Sequence, residues 1–150
     1  MSQEQVIAIT ECGPYKSFKN GDLETYKGIF DGKEENFQFF FDDKKLRRIG
    51  VYLYEGTDPE AGVARWLALH ATLSKLFGDI ETPSYDGPAD VATHRALFRA
   101  KALELVKDKG KAQMSPLTQA KNAFVFSSFA RHDITGGVQY VVVLYIDKLP

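Results

Sequence analysis

Residues 23–78 constrain the fold more than any other part of this chain. They read as three consecutive antiparallel strands running straight into an amphipathic helix. Asp31-Gly32 is a two-residue hairpin signal, and Asp42-Asp43-Lys44-Lys45 supplies the second turn. Strands are expected at Leu23–Phe30, 35–41 and 46–54. In the second of these, Phe37, Phe39 and Phe41 fall on one face at period two, with Asn36, Gln38 and Phe40 on the other. In the third, Ile49, Val51 and Leu53 share one face, and Arg48, Gly50, Tyr52 and Tyr54 share the opposite one. The Phe and Ile/Val/Leu stripes are expected to face the helices.

The helix is expected over Pro59–Phe77. Asp58 is its N-cap, because a carboxylate there accepts from an orphan backbone N–H, and Pro59 lacks a donor that would be unpaired at that position anyway. Val63, Trp66, Leu67, His70, Leu73, Leu76 and Phe77 follow helical spacing, and Gly78 ends the run. Residues 80–88, with two prolines, read as a loop. A second helix is expected over about 89–109, with Val91, Phe98, Ala102, Leu105 and Val106 on one face and Gly110 as its stop. Residues 111–119 read as a polar loop broken at Ser115-Pro116. Strands return at 123–131 and 138–147 around a Thr135-Gly136-Gly137 turn, and residues 5–10 alternate weakly as a short first strand. Val141 to Ile146 are apolar on both faces, which marks a strand buried on both sides or set at an interface.

A block of strands, then two helices, then a hairpin is the α+β order and not an alternating βαβ order. The expectation is one α+β domain over residues 1–150: a single antiparallel sheet made of a β-meander and a C-terminal β-hairpin, with two helices on one face. At 150 residues, folding buries roughly 68–70% of the surface of the unfolded chain, enough for a core without staples.

Charge and cysteine usage remove several function classes. A net charge of -1 argues against nucleic acid as a partner, which requires excess Lys and Arg to displace counterions. Cys12 is the single cysteine, so no intrachain disulfide forms. Its neighbours Glu11, Gly13 and Pro14 do nothing to lower a thiol pKa, which speaks against a nucleophilic role. Met1-Ser2-Gln3-Glu4-Gln5 has neither a basic start nor a following apolar run. As written the chain reads as unexported and cytoplasmic; a chain stripped of a leader, and so periplasmic, would read the same. Nothing is long enough to span a bilayer.

No phosphate-binding glycine loop, dinucleotide fingerprint, H-E-x-x-H, C-x-x-C or nucleophile elbow is present. His70 and His94, with Asp90 one turn before His94, are the best available metal or acid–base set, but a flanking core histidine and an exposed one account for them. Ser127-Ser128 and Arg131-His132-Asp133 supply hydroxyl, imidazole and carboxylate at the wrong spacing: Ser128 and His132 stand about 13 Å apart along a strand. We assign no catalytic residue, no metal ligand and no cofactor. The run Lys44-Lys45-Leu46-Arg47-Arg48 is the densest basic cluster and reads as a solvated turn. Residues 1–60 carry eight Lys/Arg against twelve Asp/Glu, whereas residues 89–121 carry seven against three, so charge is polarised along the chain.

The aromatic surplus, eleven Phe and seven Tyr against one Trp, is the strongest functional signal. Tyr26, Phe30, Phe40, Tyr52 and Tyr54 fall on the sheet face opposite the expected core stripe. Tyr and Phe bury large areas with few rotamers to freeze, which suits interface cores. Two arrangements follow. Either this face is exposed and binds a protein, a second copy included, through Tyr26, Phe40, Tyr52 and Tyr54, or the segment 5–18 folds over it. The phrasing of a meander with Phe39-Phe40-Phe41-Asp42-Asp43 and a helix ending in Phe77-Gly78 resembles that of many small bacterial α+β proteins, a likeness of architecture, and architecture does not fix function. The expected function is a non-enzymatic protein-binding domain of adaptor, immunity or inhibitor type. The alternative is a small-molecule-binding or hydrolytic domain with its site between sheet and helices, near Trp66 and His70.

Overall fold

The computed structural model describes residues 1–108 and 110–150. Its elements are α1 (Gln3–Ile7), a 3-10 turn at Thr10–Cys12, β1 (Lys16–Ser17), β2 (Leu23–Phe30), β3 (Lys33–Asp42), β4 (Lys45–Gly56), α2 (Pro59–Phe77), β5 (Ile80–Glu81), α3 (Arg95–Lys107), β6 (Lys111–Pro116), β7 (Ala123–Ile134) and β8 (Gly137–Lys148). The strands form one antiparallel sheet in the order β1-β2-β3-β4-β8-β7-β6-β5. This is the α+β, single-sheet architecture expected from the block order of the sequence. Both meander turns are two residues long, with positive φ at Asp31 and Gly32 and at Asp43 and Lys44, the backbone sense that matches the twist of paired strands.

Contacts within the chain gather into two compact units. The first comprises Met1–Leu53, Ala120–Val125 and Leu144–Pro150; the second comprises Tyr54–Gln119 and Phe126–Val143.

In the first unit, residues 5–10 do not form the expected strand. Ser2 caps a short helix through a capping box: its hydroxyl accepts from Gln5 N–H, and the Gln5 side chain accepts from Ser2 N–H. Two orphan donors are satisfied reciprocally, and weak alternation cannot compete. The segment is pinned down by Leu46 N–H donating to Met1 O (2.9 Å), by Gln3 Nε2 donating to Gly21 O and by Thr25 Oγ1 donating to Cys12 O. Val6 is fully buried with Leu23 and Phe39, and Tyr15, Phe37, Phe41, Leu46 and Ile49 pack around them. The Phe37/Phe39/Phe41 stripe of this unit therefore meets the N-terminal segment and not a long helix.

In the second unit, α2 starts where expected. Asp58 Oδ1 accepts from Glu60 N–H (2.9 Å), Pro59 takes the first position, and Gly78 N–H closes the helix on Ser74 O. Val63, Trp66, Leu67, Leu69 and Leu73 are buried and Phe77 is half-buried, but Leu76 is exposed, so one position of the expected stripe faces solvent. Helix α3 begins at Arg95 and not near residue 89, because the Asp90 carboxylate accepts from both Thr93 N–H (3.2 Å) and Thr93 Oγ1–H (2.5 Å), a local turn that competes with the helix. The expected end of this helix at Lys109 lies outside the described residues. Residues 111–116 are a strand and not a loop: Ala112, Met114 and Pro116 point inward, alternating with Lys111, Gln113 and Ser115. Pro116, read as a breaker, sits at the strand's last position, paired with Ile80 of the short β5 inside the expected 80–88 loop. Ala112 and Phe129 are register partners and share a sheet face. Phe129 meets Trp66 of α2 there, and Ala112 lines a cavity with Phe98 and Ala102 of α3. Both long helices thus lie on one face. Of the expected two-sided run Val141 to Ile146 in β8, Val141 to Leu144 are buried at every position, whereas Tyr145 and Ile146 are half-buried.

Candidate functional site

Register decides which face each aromatic residue of the first unit occupies, because directly paired residues project to the same side. Phe37 pairs with Val51 and Phe39 with Ile49 on the covered face. Asn36 pairs with Tyr52, Gln38 with Gly50 and Phe40 with Arg48 on the other. Glu24 pairs with Gln38 and so joins that second face. Tyr26 follows Glu24 by two residues and donates its hydroxyl to Glu24 Oε1 (3.2 Å), while Gln38 Nε2 donates to the same oxygen (3.2 Å). A bulge between Thr25 and Gly28 then shifts the phase of β2. It places Phe30, expected beside Tyr26, on the covered face, and brings Ile29 to Tyr26's face. Tyr26 is 64% exposed and Ile29 61%.

Gly50 organises the other end of this face. A Cβ there would lie 3.0 Å from the Tyr52 ring and 3.3 Å from the rings of Phe40 and Tyr145. The three rings occupy the space a side chain would claim, which is why glycine suits this strand position. Beside them Arg48 grips Asp147 with two parallel bonds, Nε to Oδ1 at 2.5 Å and Nη2 to Oδ2 at 2.8 Å, and its guanidinium lies 4.6 Å from the Tyr145 ring centroid. The Asp147 carboxylate holds the Arg48 guanidinium above its already high ordinary range. Both side chains keep substantial solvent contact, so the pair contributes little net stability; it fixes the guanidinium over the ring. Phe40, Arg47, Arg48 and Asp147 surround a recess of about 250 Å³.

The four residues singled out from sequence separate in the structure. Tyr26, Phe40 and Tyr52 share the open face of the first unit. Tyr54 belongs to the second unit, where its hydroxyl accepts from Asp58 N–H (3.1 Å) and its ring lies against Gly62 of α2. Its role there is to seat the start of the helix. The N-terminal segment, offered as a cover for the aromatic face, packs on the opposite one. Sequence reasoning missed Ile29, which only the bulge exposes, and the Arg48–Asp147–Tyr145 group, which joins residues 99 positions apart.

The second unit holds the features of the alternative reading. His70 packs tilted against Phe98 (5.2 Å between centroids, 60° between planes), and burial first, then Arg95, pushes its imidazole below the ordinary range. His94 Nδ1 bonds the Asp90 carbonyl (2.9 Å). Ser127 Oγ is buried and donates to Met114 O (3.2 Å), while Arg131 pairs with Asp133 (3.3 Å), so the hydroxyl and the carboxylate beside His132 each have structural partners. Among the described residues, no group of three or more His, Cys, Asp or Glu side chains is placed to hold a metal ion, and no helix is long and apolar enough to cross a membrane. A surface groove of about 370 Å³ runs past Ser84, Asp86, Lys101, Glu104 and Asp108.

No model of a known protein family matches this chain, and neither does any curated protein or any solved structure.

Proposed function

We propose that this chain is a non-enzymatic interaction domain that binds a protein partner through the open aromatic face of its first unit. The observation that carries the reading is the pairing of exposed Tyr26 and Ile29 with the Phe40–Tyr52–Tyr145 cluster on one face, while the N-terminal segment packs on the other. Exposed aromatic and aliphatic side chains gathered on one sheet face suit a protein contact. Tyr and Arg are the residue types that dominate binding energy at interface centres, because they combine large area with directed hydrogen bonds. Arg48, gripped by Asp147 with its guanidinium 4.6 Å from the Tyr145 ring centroid, places a charged group at the edge of the recess.

The small-molecule or hydrolytic reading has less support. Its expected place is between sheet and helices near Trp66 and His70, and the cavity lined by Trp66 is only about 10 Å³, far below the size of a small-molecule site.

Tyr26→Glu tests the proposal, since a charge on a solvated ring position costs the fold little. Wild type and variant would be compared by sedimentation equilibrium for self-association, and by affinity capture from the source cells for another partner, with thermal melts alongside. Loss of self-association or of one specific captured protein, at an unchanged melting temperature, supports the reading. A monomeric wild type that captures nothing beyond what Tyr26→Glu captures overturns it.

A further inference from the structure

Arg47 stands where simple alternation would not put it. Strict alternation along β4 would set it on the face of Ile49 and Val51. Register breaks there: Phe40 pairs with Arg48 and Phe41 with Leu46, which leaves Arg47 as the extra residue of a bulge. A bulge re-aims a side chain, and Arg47 lines the recess of about 250 Å³ together with Phe40, Arg48 and Asp147. The two arginines are not equivalent. Arg48 is gripped by Asp147 through Nε and Nη2. Arg47 is exposed, and no carboxylate among the described residues pairs with it. Lys44 and Lys45, the other cations of this basic run, are matched in number by Asp42 and Asp43 at the same turn. The charge this run presents in excess is the one guanidinium in the recess.

We infer that the recess receives a single carboxylate, from an aspartate or glutamate side chain of the protein partner, on the Arg47 guanidinium. The inference rests on the reading of this face as a protein-binding surface, and names what the partner carries there. Charge sets the class. Two guanidinium groups and one carboxylate around the recess leave one net positive charge, which a carboxylate neutralises. A phosphoryl group would bring a charge of about -1.5 to -2 and set its excess against Asp147. Geometry agrees, because a planar guanidinium offers paired N–H donors that match the two oxygens of a carboxylate. The setting is aromatic: Phe40 walls the recess, and its ring gathers with those of Tyr52 and Tyr145 over Gly50. Apolar side chains beside the acidic residue of the partner have these rings to cover, and covering them shields the new ion pair from water.

A displayed library of random twelve-residue peptides, panned on the immobilised full chain, tests the inference. Recovered peptides should be enriched in Asp or Glu beside apolar residues. Synthetic copies should bind Arg47→Gln about tenfold to hundredfold more weakly than wild type, the worth of a charge-assisted hydrogen bond. Replacing the acidic residue of the peptide by its amide should cost as much against wild type and nothing further against Arg47→Gln. Lys44→Gln, the same charge change at the turn, should leave binding unaltered, and because both positions are exposed the two variants should melt as wild type does. Peptides bound equally by wild type and Arg47→Gln, yet lost on Tyr26→Glu, overturn the inference and leave the protein-binding reading standing. Peptides indifferent to both substitutions, or none recovered, overturn the two together. Self-association of the wild type that Arg47→Gln leaves intact and Tyr26→Glu abolishes assigns the face to a second copy and also overturns the inference.

Discussion

Gly62→Ala tests the packing of α2 on the sheet with a result whose sign is informative. Alanine is favoured over glycine inside a helix by about 0.8–1 kcal/mol, so an unhindered site would be stabilised. Gly62 is not unhindered. A Cβ there would lie 2.8 Å from Phe129 Cε2, 3.1 Å from its Cζ and 3.2 Å from Tyr54 Cδ1. Phe129 has no exposed surface and is backed by Trp66, so its ring cannot simply swing aside. Overpacking of this kind costs about 1–3 kcal/mol, which leaves a net loss of about 0–2 kcal/mol. Urea unfolding followed by circular dichroism should show the midpoint lowered by about 0.3–1 M for a loss near 1 kcal/mol, with the slope unchanged. In a Phe129→Leu background the clashing ring atoms are gone, and Gly62→Ala should become neutral or stabilising, a coupling of about 0.5–3 kcal/mol. A midpoint raised by the single substitution would refute the close contact between helix and ring.

Two further outcomes follow from the second unit. Asp58→Ala should lower stability by about 0.5–2 kcal/mol, because Glu60 N–H loses its acceptor at the helix start; an unchanged melting midpoint would show that the cap is idle. Burial, with Arg95 second, holds His70 below its ordinary value of about 6.5. The unfolded chain therefore binds more protons than the folded one between the two values, so stability rises with pH across that window and is fully present above about pH 6.5. Melting temperature measured against pH should rise toward neutrality in wild type and lose that slope in His70→Phe; an unaltered slope would assign the dependence elsewhere.

Sequence pattern alone was sufficient where local chemistry and period agree. The Asp31-Gly32 turn, the β3 and β4 stripes and the Asp58-Pro59 helix start all rest on neighbouring residues, and all stand in the structure. It failed where local signals were short or competing. The Ser2–Gln5 capping box overrode a weak alternation. The Asp90–Thr93 turn delayed α3. The six residues of β6 carry an alternation, Ala112, Met114 and Pro116, hidden by polar partners and a terminal proline. At the candidate site, Phe40 and Tyr52 were legible from parity. Phe30 and Ile29 were exchanged by one bulge that no residue type announces. Tyr54 had the right parity but the wrong neighbours, since its partners Asp58 and Gly62 become visible only once the helix folds back. Arg48 and Asp147 meet because β4 and β8 are adjacent, which is a property of the whole sheet.

The placement of the single tryptophan divides the molecule optically. Trp66 lies in the second unit, buried against Phe129, whereas Tyr15, Tyr26, Tyr52 and Tyr145 belong to the first. Emission excited at the red edge of the absorption band therefore reports one unit and is blind to the other, while far-ultraviolet dichroism sums over both. Unfolding curves from the two signals superimpose for a chain that melts as one cooperative body and separate for one that melts in parts. The comparison requires neither label nor substitution.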